Sequence, residues 1–204
     1  MELVDLAPDR HEELARLLAD AFLDDPGWLA VGPTRERARL RLMRSFFRVV
    51  IRETIRHGGP IHCAVRDGAL VGTAVAFADG LAYPPRFATL AEGPPFLLAG
   101  PGPAIRGARL DAIFKRNHFH EPHLYLWQLA VHPAAQRQGV GRALLGRVLE
   151  DAAASDLPAF LETTKTANVA YYGSFGFRVL GEADLPRGAH AWFMLRDANL
   201  AYSP

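Results

Sequence analysis

The segment Gln136-Arg137-Gln138-Gly139-Val140-Gly141-Arg142-Ala143 has the residue types and spacing best suited to chemistry. It follows a predicted strand and the turn Val131-His132-Pro133-Ala134-Ala135. It opens a predicted helix whose apolar stripe is Leu144, Leu145, Val148, Leu149 and Ala152. The first N–H groups of a helix lack intrahelical partners, and the helix dipole puts partial positive charge there. Gly139 and Gly141 let a phosphate approach the backbone with no Cβ in the way. Arg137 and Arg142 add charge. The pattern predicts an anion site, with a pyrophosphate as its natural ligand. Two other phosphate motifs are excluded by residue identity. The dinucleotide fingerprint needs Gly or Ala three positions after its second glycine, where Leu144 stands; the P-loop needs Gly-Lys-Ser/Thr, but Gly146 is followed by Arg147-Val148.

Other reactive side chains carry less. Cys63 is the single cysteine, so no intrachain disulfide forms, which fits a reducing compartment. It sits in the apolar run Ile61 to Val65 and is expected to be a small core residue, not a nucleophile. His118, His120 and His123 lie near Glu121, but in a loop-like stretch with Pro122 and no fourth ligand, so no metal is expected. Asp24-Asp25-Pro26-Gly27 reads as a turn that ends a helix, with cation binding by either aspartate as the other reading.

These residues need a scaffold. The chain has 204 residues, half of them apolar, enough for one domain, 1–204, with a real core. Net charge is +1, so bulk electrostatics demands neither nucleic acid nor an anionic membrane. No stretch approaches the ~18 apolar residues of a membrane helix, and the N-terminus has no apolar signal region. A cytoplasmic protein is expected. Periodicity predicts a short strand at Leu3 to Ala7, then a helix with Leu14, Leu17, Leu18, Ala21 and Phe22 on one face. A second helix is predicted from Thr34 to His57. Its apolar stripe is Met43, Phe46, Phe47, Val50, Ile51 and Ile55, and Arg37, Arg41, Arg44, Arg48 and Arg52 form a basic face read as solvated. That face has no interleaved aromatics, which argues against nucleic acid. Ile61 to Arg66 and Leu70 to Ala78 form a hairpin around Asp67-Gly68. Residues 79–107, rich in Pro and Gly, read as a loop or a cover, with a helix near Arg86 to Ala91; Ala108 to Arg116 reads as helical. Strand Leu124 to Val131, helix Gly139 to Ala154, strand Ala159 to Thr163, helix Asn168 to Phe175 and strands Phe177 to Leu180 and Ala189 to Leu195 complete an α+β chain with one central sheet.

Gln-x-x-Gly-x-Gly after a strand ending in Val-His-Pro resembles motif A of the GNAT acetyltransferases. Leu161-Glu162-Thr163-Thr164 and Asn168-Val169-Ala170-Tyr171-Tyr172-Gly173-Ser174-Phe175-Gly176-Phe177 resemble the family's fifth strand and fourth helix. Within the family, Pro158 to Thr163, Trp192-Phe193-Met194 and Ala21-Phe22 with Asp25-Pro26 are similar to the group around puromycin N-acetyltransferase. Its acceptor is not carried over, because family does not fix the acceptor.

The resemblance implies a mixed, twisted sheet flanked by helices on both faces, with strands 4 and 5 splayed. It implies acetyl-coenzyme A as cosubstrate and a small-molecule amine as acceptor, in a monomer or homodimer. By position, Leu129, Ala130 and Val131 would pair with the pantetheine chain. The loop Gln136, Arg137, Gln138, Gly139, Val140, Gly141 and Arg142 would take the pyrophosphate, and Asn168 would touch the cofactor. Tyr172, four residues before Gly176, would donate a hydrogen bond or proton to the departing thiolate, with a core aromatic beside Tyr171 and Phe175 as the other reading. Glu162 is a candidate base or a structural carboxylate, and His118 or His120 a candidate for the acceptor pocket. Three alternatives stay open: a protein or peptide N-acetyltransferase, a non-catalytic acyl-coenzyme A sensor, and nucleic-acid binding through the arginine helix.

Overall fold

A computed structural model of the chain describes residues 1–56, 60–77, 93–198 and 200. Its strands are β1 Glu2–Asp5, β2 Ile61–Arg66, β3 Ala69–Phe77, β4 Leu124–Val131, β5 Ala159–Thr163, β6 Arg178–Asp184 and β7 His190–Arg196. Its helices are α1 His11–Ala21, α2 Pro26–Val31, α3 Glu36–Arg56, α4 Pro101–Asn117, α5 Val140–Ala154 and α6 Thr166–Gly173, with a helical stretch at 93–98 before α4. The strands form one mixed sheet in the order β1-β2-β3-β4-β5-β7-β6. β4 and β5 are parallel and the other pairs antiparallel.

Both faces of the sheet are covered. Leu14, Leu17 and Leu18 of α1 and Met43, Phe47, Val50 and Ile51 of α3 pack on one face around Phe160 and Phe193. Leu144, Leu145, Val148 and Leu149 of α5 cover the other, against Leu161 and Met194. Burial from both sides explains why β2 reads as a continuous apolar run and not an alternation. Cys63 lies in that run, fully buried, and burial pushes its thiol up to about 11, which makes it a core residue. α5 seats closely because position 72 is glycine. A Cβ there would stand 2.8 Å from Val140 Cγ1 and 3.0 Å from the Ala130 carbonyl oxygen.

Three readings change. Asp25-Pro26 does not merely end a helix; it also starts one. Asp25 Oδ1 accepts from the N–H groups of Gly27 and Trp28, and Pro26 sits in the first turn, where its missing N–H is not needed. α4 begins at Pro101, seven residues before the predicted start, because Pro101 and Pro103 occupy the tolerant first turn. The predicted helix near Arg86 to Ala91 lies outside the described residues. The basic face of α3 is partly engaged: Arg48 makes a paired contact to Glu12 of α1, and Arg44 reaches Asp20 at 3.4 Å.

Arg39 is different. It is buried and donates to the carbonyls of Leu23 (3.2 Å), Pro33 (3.2 Å) and Thr34 (3.3 Å). It thereby fixes both ends of α2. Arg39→Met keeps the aliphatic bulk and strands three carbonyls, at a cost of about 2 kcal/mol or more. The melting midpoint is expected to drop by roughly 4–8 °C; a midpoint within 1 °C of wild type, by calorimetry, would remove this role.

Candidate active site

The loop before α5 enters the helix with the backbone features expected of an anion site. Gly139 adopts φ +82° and Arg137 φ +60°, and this left-handed backbone turns the chain into the helix. No side chain caps α5. Ala143 N–H is the first to bond back, to the Gly139 carbonyl at 3.0 Å. Among the described residues, no acceptor meets the N–H groups of Arg137, Gln138, Gly139, Val140, Gly141 or Arg142. The glutamine side chains hold the loop itself. Gln136 Nε2 donates to the Val131 carbonyl at 3.2 Å, and Gln138 Nε2 to the Ala134 carbonyl at 3.0 Å. Arg66 also donates to Gln138. The Arg142 guanidinium lies over the Phe175 ring, 5.5 Å from its centroid. Val140 is buried and anchors the loop through its side chain.

β4 and β5 pair only at Leu124↔Ala159 and Tyr125↔Phe160. Beyond these the strands separate, and Leu129, Ala130 and Val131 have β3 on one edge and no strand on the other. A bulge contributes to the separation. Val75 faces Gln128 while Ala76 faces Leu126, so Trp127 is the extra residue. The bulge shifts the alternation of β4: Leu124 and Leu126 before it, and Leu129 and Val131 after it, all pack on the α5 face.

A cavity of about 200 Å³ lies at this gap. Phe22, Trp28, Phe46, Phe96 and Trp127 line it from the α1/α3 side. Leu126, Leu129 and Tyr172 line it from the α5 side. It therefore passes through the sheet where the strands part. Glu162, Thr163, Thr164 and Asn168 form its β5 wall.

The titratable groups in that wall are perturbed. Tyr125 OH donates to Glu162 Oε1 at 2.6 Å. Glu162 Oε2 is buried with no hydrogen-bond partner. Burial pushes the carboxyl up to about 8, against which the Tyr125 bond pulls only partly. Asp25 is raised for the same reason, although Thr164 Oγ1 donates to its Oδ1 at 2.9 Å. The Tyr172 phenol is raised by burial, then by Tyr171 and Asp25, and stays protonated at any working pH. Asn168 Nδ2 donates to Thr163 Oγ1 at 3.0 Å, which places its side chain at the end of β5.

An unpaired strand edge leads from a helix-terminal anion loop to a through-sheet cavity, and the chain's sequence points the same way. The sequence model of the acetyltransferase (GNAT) family matches residues 14–177. The chain belongs to the GNAT acetyltransferase family. Solved structures share the GNAT fold. A Corynebacterium glutamicum protein described as histone acetyltransferase HPA2 and related acetyltransferase is 24% identical over 98% of both chains, with a TM-score of 0.72. The ribosomal-protein-alanine N-acetyltransferase of Brucella melitensis is 17% identical over 97% of this chain and 99% of its own, at 0.59. The PaiA N-acetyltransferase of Thermoplasma acidophilum, solved with coenzyme A, is 12% identical over 96% and 98%, at 0.60. These likenesses concern the fold.

Within this GNAT chain the predicted residues fall at two linked places. Residues 136–142 form the loop and first turn of α5, and Leu129, Asn168 and Tyr172 line the cavity. His118 and His120 do not line it. His118 is buried edge-on against Phe160 and Tyr125, and burial pushes it down to about 3, so it stays a neutral packing residue. His120 is exposed. Tyr125, which holds Glu162, was not foreseen; 37 positions separate the pair, and no local pattern links them. No helix among the described residues is long and apolar enough to cross a membrane.

Proposed function

We propose that this chain transfers an acetyl group from acetyl-coenzyme A to the amine of a small molecule, directly, while both are bound. The observation that carries the reading is the cavity through the sheet at the β4/β5 gap, with Tyr172 toward one face and Glu162 toward the other. The residues present fit the cosubstrate. Uncommitted N–H groups at 137–142 suit a pyrophosphate. The free edge of Leu129, Ala130 and Val131 suits the amide-bearing pantetheine as an added strand. The cavity at the end of that edge suits the acyl end. Acetyl-coenzyme A supplies the acyl thioester; the protein's groups hold and move protons around it. Glu162 Oε2 takes the proton that the amine must lose, with Tyr125 holding the other oxygen in place. Tyr172 keeps its proton and serves as donor to the leaving sulfur. Holding both reactants at one point supplies much of the rate.

The enclosure favours a small acceptor over a protein chain. Trp28 of α2, Phe96 and Leu110 of α4 stand over the acceptor side, where a peptide groove needs open space. Titration with acetyl-coenzyme A by calorimetry tests the cosubstrate. Saturable binding that requires both pyrophosphate and pantetheine is expected, and none at millimolar concentration would sink the reading. Tyr172→Phe is expected to lower kcat about a hundredfold while acetyl-coenzyme A affinity stays within about twofold. Unchanged turnover would strip Tyr172 of its role, and no turnover in any variant would favour a non-catalytic sensor.

A further inference from the structure

The acceptor side of the cavity is one-signed. Among the described residues, no lysine, arginine or histidine lines it, whereas Asp25, Asp111 and Glu162 do. Asp111 is paired with Lys115 at 2.8 Å along α4. The other two make no ion pair among the described residues; Lys165 acts on Asp25 through space but does not line the cavity. Asp25 accepts from Gly27 N–H (2.9 Å), Trp28 N–H (3.4 Å) and Thr164 Oγ1 (2.9 Å), all through Oδ1. None of the described hydrogen bonds uses its Oδ2. Glu162 Oε2 is buried without a partner. Thr164, in the bend just past the end of β5, ties Asp25 to the strand that carries Glu162, and both carboxyl groups line the same cavity. Facing them is a wall of rings. Trp28 meets Phe46 edge-on at 5.1 Å and stacks on Phe96 at 6.1 Å, while Phe46 reaches Trp127 at 6.3 Å.

Resting on the acetyltransferase reading, we infer that this cavity selects amines carried on an uncharged, ring-bearing body, and that Asp25 enforces the selection by refusing amines that also bear a carboxylate or phosphate. An ammonium entering the site meets two carboxyl groups. A carboxylate on the same molecule meets them as well, with no cation in the cavity lining to compensate its lost water. The apolar body lies on the aromatic wall, where ring–ring contact adds to burial. A linear diamine has no ring to lay on the wall and so gains less there from burial and ring contact. An aminoacyl amide or arylalkylamine meets every requirement, and a free α-amino acid fails on charge alone.

The test compares acceptors that share one body. The full-length protein, saturated with acetyl-coenzyme A, is assayed with 2-phenylethylamine, phenylalaninamide, phenylalanine and putrescine. The first two are expected to exceed the last two in kcat/KM by at least about 100-fold. Asp25→Asn keeps the helix cap but removes the charge. It is expected to shrink the disadvantage of phenylalanine by at least about tenfold, with acetyl-coenzyme A affinity unmoved. Phenylalanine within tenfold of phenylethylamine, or a ratio unchanged in Asp25→Asn, overturns the inference. So does acetyl-coenzyme A binding accompanied by no turnover and no fluorescence response of Trp28 and Trp127 to either ring-bearing amine. Failure of acetyl-coenzyme A to bind strikes instead at the acetyltransferase reading, and the same fluorescence titrations then still decide whether charge selection holds.

Discussion

Glu162→Gln is expected to lower kcat/KM at pH 8 by two to four powers of ten, the usual range for loss of a general base, and at the same pH to make the protein more stable. The two effects share one cause. In the unfolded chain the Glu162 carboxyl titrates near 4.5, and in the folded protein burial holds it up at about 8. Folding therefore takes up a proton between these values. Stability from this group is untouched below about pH 4.5, falls as pH rises toward 8, and the penalty is fully present above it. Glutamine removes the penalty and keeps an acceptor for the Tyr125 hydroxyl. Each kcal/mol relieved raises the melting midpoint by roughly 2–4 °C. The kcat/KM profile of the wild type is expected to rise with pH and level near 8, because that parameter reports the free enzyme. The variant loses this limb. A carboxyl that merely supports the strand end predicts the stability gain without the kinetic loss, with kcat/KM within about threefold of wild type.

The anion loop and its flanking elements are legible in the sequence because their signals are local. Strand, glycine turn and amphipathic helix follow one another from Leu124 to Ala154, and each is set by its own periodicity. The acceptor side is not legible, because its walls come from segments far apart in the chain. Trp28, Phe46, Phe96 and Trp127 meet only once the sheet is formed. The bulge at Trp127 leaves no mark either, since a strand with one extra residue looks like any other. The order β5-β7-β6 places the last strand inside the sheet by long-range pairing. Two further features carry a local signal in the sequence. Arg39 stands at helical spacing with Leu42, Met43 and Phe46, which puts it on the buried face and not among the exposed arginines. Asp25 before Pro26 is a helix-start signature, and reading the turn as a helix end or a cation site passed over α2.

The cavity carries its reactive groups at a cost in stability, and the rest of the fold offsets it. Glu162 and Asp25 are both buried carboxyls raised by desolvation. The elements that hold them are tied down from outside. Arg106 and Arg187 donate to carbonyls at the end of α2, Leu29 and Gly32, where the helix dipole favours positive charge. Arg39 fixes the entrance to the same helix. The one-turn α2 is thus clamped by three arginines from three separate elements, which keeps Asp25 and Trp28 in register with β5.

The second large effect is expected at the anion loop. Gly139→Val should weaken acetyl-coenzyme A binding by at least about a hundredfold while sparing the fold. Gly139 holds φ +82°, and a β-branched residue there is a genuine conformational outlier. No heavy atom lies within 4 Å of the Cβ position, so valine meets no steric clash in the fold; its cost is backbone strain alone. The loop relieves that strain by rotating, and rotation turns the N–H groups of 138–141 away from a common point. Hydrogen bonds to a charged acceptor contribute about 1.5–3 kcal/mol each. Losing two of them corresponds to a factor of a hundred or more, at about 1.4 kcal/mol per tenfold. Gly68→Val is the matched control. Gly68 holds φ +79° in the β2–β3 turn with equally open space around its Cβ, so it suffers the same strain outside the anion loop. Calorimetry is expected to show similar melting losses in the two variants and a weakened acetyl-coenzyme A affinity in Gly139→Val alone. Equal affinities would mean that the glycines only turn the chain, and that the N–H groups at the head of α5 do not hold the cosubstrate.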